Sequence, residues 1–238
     1  MLSIEHKVPV LIDAGNTFVK VAIREGDDFK PLLKIETEKV KSGEFPLNGR
    51  IAVVSSVVPS INPIIRESFE KVFFISSKSL LPLKLDYKTP ETLGADRIAA
   101  ACGFLEYGGT GIVVLAGTAL VIDVVRDGVF HGGAILPGVS LMAESLGRFT
   151  EQLPDVKDFL NKYPGKSTAE SIMSGIGLAL AGAVERVLKL EMVGDFSVVL
   201  TGGYAKDLRR MIGQGIVDEF LIFRGLWEIF MWNKKRGA

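Results

Sequence analysis

The sequence has little of what staples a small protein together or binds a transition metal. It holds one cysteine, Cys102, and two histidines, His6 and His131, in 238 residues. One cysteine excludes a disulfide framework within the chain. The two histidines lack metal-ligand spacing, which argues against a coordinated transition metal. Charge of one sign is also missing: 28 Lys and Arg balance 28 Asp and Glu. That removes the electrostatic case for nucleic acid as a partner. No uncharged apolar run of about 18 residues occurs, so no membrane span is expected. The first residues, Met1 to Lys7, show no signal-peptide pattern, and a cytoplasmic protein is expected. Cys102 sits in Ile98-Ala99-Ala100-Ala101-Cys102-Gly103-Phe104 and reads as a small core residue.

What the chain does have is a repeated strand–turn–strand pattern and 47% hydrophobic residues. The first copy runs Val10 to Ile23 around Gly15; the second runs Val113 to Val125 around Gly117. Each has an apolar run, a turn of small residues and a second apolar run. Two such hairpins in a chain of this length suggest a duplicated α/β domain with a nucleotide cleft between the copies. The length suits two domains, and Gly108 to Gly111 places the boundary, giving 1–110 and 111–238.

Between the hairpins, residues 51–56 read as a buried strand, 59–72 as a helix, 72–75 as a short strand and 92–107 as a helix ended by Gly108 and Gly109. After the second hairpin, Gly132 to Gly138 is a glycine-punctuated loop or strand, and a short helix follows from Pro137 to Gly147. Residues 150–166 read as a mobile connection. Ser167-Thr168-Ala169-Glu170 has the form of a capping box, opening a helix to about Leu190. Ser197 to Gly203 reads as a strand entering a glycine turn. A helix begins near Tyr204, and the last fifteen residues form an amphipathic helix with a basic end.

Several residues in this frame could carry chemistry. In Asp13-Ala14-Gly15-Asn16-Thr17, Gly15 permits close backbone approach, Asn16 and Thr17 offer donors to phosphate, and Asp13 can hold hydrated Mg²⁺. Alone, the same residues also make an ordinary hairpin turn. In Thr89 to Arg97, Asp96 can act as a general base and Arg97 can fork onto a carboxylate; the competing reading is a first-turn charge beside a solvated arginine. Gly117-Thr118 could donate to a β- or γ-phosphate. Thr201-Gly202-Gly203 could let adenine or ribose lie against the backbone. Thr168 adds a hydroxyl to a helix cap that Ser167 already satisfies.

Taken together, these segments resemble the type III pantothenate kinases, of the acetate kinase, sugar kinase, Hsp70 and actin superfamily. The match rests on Asp13 to Thr17, Ser55-Ser56-Val57-Val58-Pro59, Pro90 to Arg97, Gly117-Thr118-Ala119, Gly132 to Gly138 and Thr201 to Gly203, in the family's order. The resemblance implies two actin-like (ribonuclease H-like) domains and ATP-dependent phosphorylation of pantothenate, the first step of coenzyme A biosynthesis. It implies that Asp13, Ala14, Gly15, Asn16, Thr17, Phe18, Val19 and Lys20, with Thr118, bind ATP. It makes Asp96 the proton acceptor, and Tyr87, Gly94, Ala95, Asp96, Arg97 and Thr168 the pantothenate contacts. It also implies Mg²⁺ and a homodimer. One position departs from the pattern. The family's second phosphate motif begins with an Asp that binds K⁺ or NH₄⁺, and here that position is Leu115, which offers no oxygen ligand. Three readings follow: an active pantothenate kinase, a relative that binds nucleotide or pantothenate and acts through a partner, or a superfamily kinase for a different small hydroxylated substrate.

Overall fold

The computed structural model describes residues 2–4, 8–191 and 195–236. His6 lies outside the described residues. In chain order the first elements are β1 (Leu2–Ile4), β2 (Val10–Ala14), β3 (Phe18–Glu25), β4 (Asp28–Glu36), α1 (Thr37–Lys41), β5 (Leu47–Ser56), α2 (Asn62–Ser68), β6 (Phe69–Phe74), β7 (Lys84–Leu85) and α3 (Ala95–Phe104). They are followed by β8 (Gly111–Ala116), β9 (Ala119–Arg126), β10 (Val129–Pro137), α4 (Val139–Phe149), α5 (Thr168–Glu191), β11 (Ser197–Thr201), α6 (Ala205–Ile212), β12 (Ile216–Val217) and α7 (Leu221–Lys235).

The chain divides into two compact units. The first contains Met1–Glu106, Gly128–Phe130 and Phe220–Ala238; the second contains Tyr107–Asp127 and His131–Glu219. The sequence boundary at 110 lies a few residues from the observed one. The larger difference is that α7 belongs to the first unit. The reason is packing against α3: a Cβ on Gly225 would lie 1.7 Å from the Ala99 carbonyl oxygen, and one on Gly103 would lie 2.2 Å from that of Leu221. Only glycine lets these backbones meet.

The first unit is built on a mixed sheet ordered β1-β5-β2-β3-β4, with β6 also pairing β5. β2 and β3 form the first hairpin; β5 runs parallel to β2. Val10, Ile12, Val19, Val21, Ala52 and Val54 project from one face into a core closed by Val40, Ile61 and Ile65. The helix expected over 59–72 ends at Ser68, because Phe69 to Phe74 pairs with the edge that β5 offers. Aromatic and β-branched residues there suit a strand. β4 and α1 are elements that sequence periodicity did not mark.

The second unit repeats the scheme. β8 and β9 form the second hairpin and β11 runs parallel to β8, with β12 beyond it. Ile112, Val114, Leu120, Ile122 and Leu200 pack against Ile176, Leu180, Val184 and Leu188 of α5 and Leu208 of α6. α5 is, by length and composition, apolar enough to cross a membrane, although charged residues such as Glu170 and Glu185 interrupt it. In this fold its apolar face belongs to the core just described. Its start is capped as expected: Ser167 Oγ accepts from the Glu170 amide at 3.2 Å, and the Glu170 carboxylate accepts from the Lys166 amide at 2.6 Å. Residues 150–166 have no regular structure but are anchored. The Leu160 amide donates to the Met173 carbonyl at 3.0 Å, and the Phe159 ring lies 5.9 Å from that of Tyr204. Cys102 is fully buried in α3, and burial pushes its thiol well above the ordinary range.

Candidate active site

The first hairpin turn is held from outside. The Gly15 amide donates to the Phe18 carbonyl at 3.1 Å, and Thr37, buried at the start of α1, donates to the Gly15 carbonyl at 2.6 Å through its hydroxyl and to the Thr17 carbonyl at 3.0 Å through its amide. Asn16 and Thr17 remain exposed at the tip. Ala14 and Val19 face the core, so any contact they make with a ligand is through backbone.

Asp13 leaves the opposite face of the sheet. It is in register with Lys20 on β3 and with Ser55 on β5, so the three side chains form a row of cation, carboxylate and hydroxyl across three strands. In-register neighbours share a sheet face. Asp13 is buried, and burial raises its pKa to about 6; Lys20 opposes that shift and the charge of Asp96 adds to it. The two carboxylates are therefore close enough to feel each other.

Asp96 lies in the first turn of α3. Its Oδ1 accepts from the Arg97 amide at 2.8 Å. Burial raises its pKa, and the Arg97 amide and guanidinium partly offset this. Gly94 precedes the helix, and a Cβ there would lie 2.5 Å from Asp96 Oδ1. A side chain at 94 would thus displace the carboxylate. Ala95 is buried behind it. Arg97 is not the solvated residue that the competing reading supposed: it is 6% exposed. Its guanidinium lies 5.6 Å from the Tyr87 ring centroid and 5.4 Å from that of Phe130, and it reaches Tyr87 Oη at 3.5 Å. Phe130 reaches this site by pairing: Val129 and Phe130 are in register with Lys84 and Leu85. Sequence reasoning missed Phe130, whose only signal was the alternation of its strand. Ser55 was visible as the first residue of the Ser55 to Pro59 match, but without a partner or a role.

In the second unit the turn Gly117-Thr118 closes with the Gly117 amide donating to the Ala119 carbonyl at 3.1 Å. Gly138 is pressed against it: its amide donates to the Thr118 carbonyl at 2.9 Å, and a Cβ would lie 2.3 Å from the Gly117 oxygen. Gly202, at φ +103°, brings the following turn over Ala116, whose carbonyl accepts from the Tyr204 amide at 3.1 Å. Leu115 is buried and in register with Val121 and Thr201. One hydroxyl beside two apolar side chains does not fit a hard monovalent cation. Asp123 is fully buried opposite Val113, one pair further along the same face. Thr168 is exposed at the start of α5, on a groove of about 480 Å³ that Met142, Leu146, Ile172 and Gly175 also line.

Thus Asp13, Lys20, Asp96, Arg97 and Tyr87 gather in the first unit, while Thr118 and Thr168 belong to the second. The donor set around Asp13, a carboxylate and a hydroxyl, is hard oxygen and fits Mg²⁺, which keeps much of its water. Among the described residues no three His, Cys, Asp or Glu side chains cluster as a closed metal site.

A family model for type III pantothenate kinase matches residues 10–190. A type III pantothenate kinase of Aquifex aeolicus is 34% identical over 220 residues, covering 90% of this chain and 93% of its own. Among solved structures, a conserved Baf family protein from Campylobacter jejuni superposes with a TM-score of 0.67 at 22% identity, over 95% of this chain and 99% of its own. The ROK hexokinase from Thermus thermophilus gives 0.53 at 14% identity, over 95% and 99%. These two show the fold, that of the actin-like sugar kinases. With the family model spanning most of the chain and the Aquifex relative covering nearly all of it, the chain belongs to the type III pantothenate kinase family.

Proposed function

We infer that this chain transfers the γ-phosphoryl group of ATP to pantothenate, giving ADP and 4'-phosphopantothenate, the first step of coenzyme A biosynthesis. The observation that carries the reading is the grouping of buried Asp13, flanked by Lys20, with Asp96 at the start of α3. Residues 13–20 and Thr118 bind the ATP phosphates. Tyr87, Gly94, Ala95, Arg97 and Thr168 contact pantothenate, and Arg97 suits its carboxylate, since the flanking rings hold a planar fork in place. Asp96 accepts the proton of the attacking hydroxyl as its oxygen bonds to phosphorus and ADP leaves. Burial brings that carboxylate nearer to neutral pH, which suits a general base.

Mg²⁺, when bound beside Asp13, neutralises phosphate charge. Lys20 adds a second positive charge on the same sheet face. The residues at Leu115 do not fit the family's K⁺ or NH₄⁺ ligand, so no step is assigned to a monovalent ion. The protein works in the cytoplasm as a homodimer. Supporting the dimer, α5 carries exposed Leu178 and Leu190, and a Cβ on Gly175 or Gly182 would meet nothing within 4 Å. Such a face admits close approach of a second backbone.

The deciding measurement is ADP release with and without pantothenate, with the product identified by mass. Pantothenate-dependent ADP and a phosphorylated product are expected. Bound nucleotide and pantothenate with no product would instead support the binding-only alternative.

A further inference from the structure

Ser55 shares the row with Asp13 but has no assigned role in the transfer, and its environment needs an explanation. It is 1% exposed and its hydroxyl has no hydrogen-bond partner. Leaving a buried hydroxyl unpaired is unfavourable, and alanine in the same place would avoid that cost. Its neighbour Ser56 shows the ordinary alternative. Ser56 Oγ donates to Asn62 Oδ1 at 2.7 Å and accepts from the Val58 amide at 3.3 Å. Ser56 also leaves the face that Ala52 and Val54 commit to the core. Ser55 leaves the other face, in register with Asp13 on the next strand. It does not donate to the Asp13 carboxylate, so both its donor and its acceptor capacity are unused.

We propose that Ser55 is a positioning residue for the divalent cation: its hydroxyl hydrogen-bonds the hydration shell of the ion that Asp13 receives. The proposal rests on the reading of Asp13 as the metal-side carboxylate. A reluctantly dehydrating ion presents water rather than bare charge to the protein. Those waters need fixed partners, and one carboxylate leaves the shell free to turn. A second oxygen on the adjacent strand, held rigid by the sheet, removes that freedom.

The test measures Mn²⁺ binding to the protein–ADP complex by electron paramagnetic resonance, beside thermal unfolding without metal. Ser55→Ala is expected to weaken Mn²⁺ binding by about 2- to 10-fold, the worth of one hydrogen bond. Its metal-free unfolding midpoint should equal or exceed that of the unaltered protein, because an unpaired polar group has been removed. A purely structural serine would lower the midpoint and leave Mn²⁺ affinity alone. Ser55→Cys, close in size with a weaker donor, should fall between the two and serves if the alanine variant folds poorly. Unchanged Mn²⁺ affinity in folded Ser55→Ala overturns the proposal. Asp13→Asn separates the two layers: if it too leaves Mn²⁺ affinity unchanged, the reading of Asp13 fails rather than the role of Ser55 alone.

Discussion

The two hairpins share a backbone plan and differ in what they place on it. In the first unit the row across β3, β2 and β5 is Lys20, Asp13, Ser55. In the second, the matching row across β9, β8 and β11 is Val121, Leu115, Thr201. In each hairpin the turn glycine amide donates to a carbonyl across the turn, Gly15 to Phe18 and Gly117 to Ala119, the first turn being one residue longer. The turn glycines therefore leave the flanking positions open. Charge occupies them in the first unit, where burial makes Asp13 costly to ionise without a cation. In the second unit that row holds one hydroxyl beside two apolar side chains and no charge; its buried carboxylate, Asp123, lies one pair further along the same face. A turn that fits phosphate is thus separable from a row that fits a metal.

The comparison breaks first at Asp96. If polar chemistry is concentrated in the first unit, Asp96→Asn lowers turnover by about 10²- to 10⁴-fold, the usual contribution of a general base. Nucleotide affinity, measured by titration calorimetry, stays within a few-fold. Wild-type turnover in this variant would leave Asp96 as a structural first-turn charge only.

The next effect is on stability. Asp13 titrates at about 6 in the fold, against an ordinary 3.8. Below about pH 4 the folded and unfolded chains both hold the proton. Between about pH 4 and 6 the folded chain binds more protons, so the stability of the metal-free protein falls as pH rises. The loss is complete above the folded pKa and is on the order of 3 kcal/mol. Asp96, also raised by burial, acts in the same direction. Denaturant unfolding on either side of this window measures the slope. Asp13→Asn should flatten it; Leu115→Ala should not.

The smallest effect sharpens the comparison from the other side. In the unaltered protein, turnover in K⁺ should match turnover in a bulky organic cation at equal ionic strength. Leu115→Asp places a carboxylate at the position matching Asp13, and K⁺ should then raise turnover by roughly fivefold or less, about 1 kcal/mol. Strong K⁺ activation of the unaltered protein would show that the apolar row does not remove the cation site.

The hairpins were legible in the sequence because local features write them: an apolar run, a small turn and a second run. Asp13 and Asp96 were legible because each sits in a short local motif, two residues from a glycine. Registers were not legible. Ser55 meets Asp13 only through pairing of β2 with β5, and Phe130 meets Arg97 only because β10 begins beside β7. The burial of Arg97 was equally invisible, since the rings that enclose it come from positions 87 and 130. β4 escaped notice because most of its residues are exposed or half-buried and Pro31 interrupts it. The docking of α7 is a glycine-to-backbone fit, which no periodicity announces.

That docking also bears on how the protein is made. The second unit is drawn from one almost unbroken stretch of chain, and the first is not: its final helix leaves the ribosome after the whole second unit. At about 5–20 residues per second, β2, β5 and α3 wait on the order of ten seconds for α7 to arrive. In the interval the bare glycine notch on α3 faces whatever the nascent chain meets. The sheet carrying Asp13 and the helix carrying Asp96 are thus translated early and completed last, and a chain stalled before Phe220 would hold a finished second unit beside an unfinished first one.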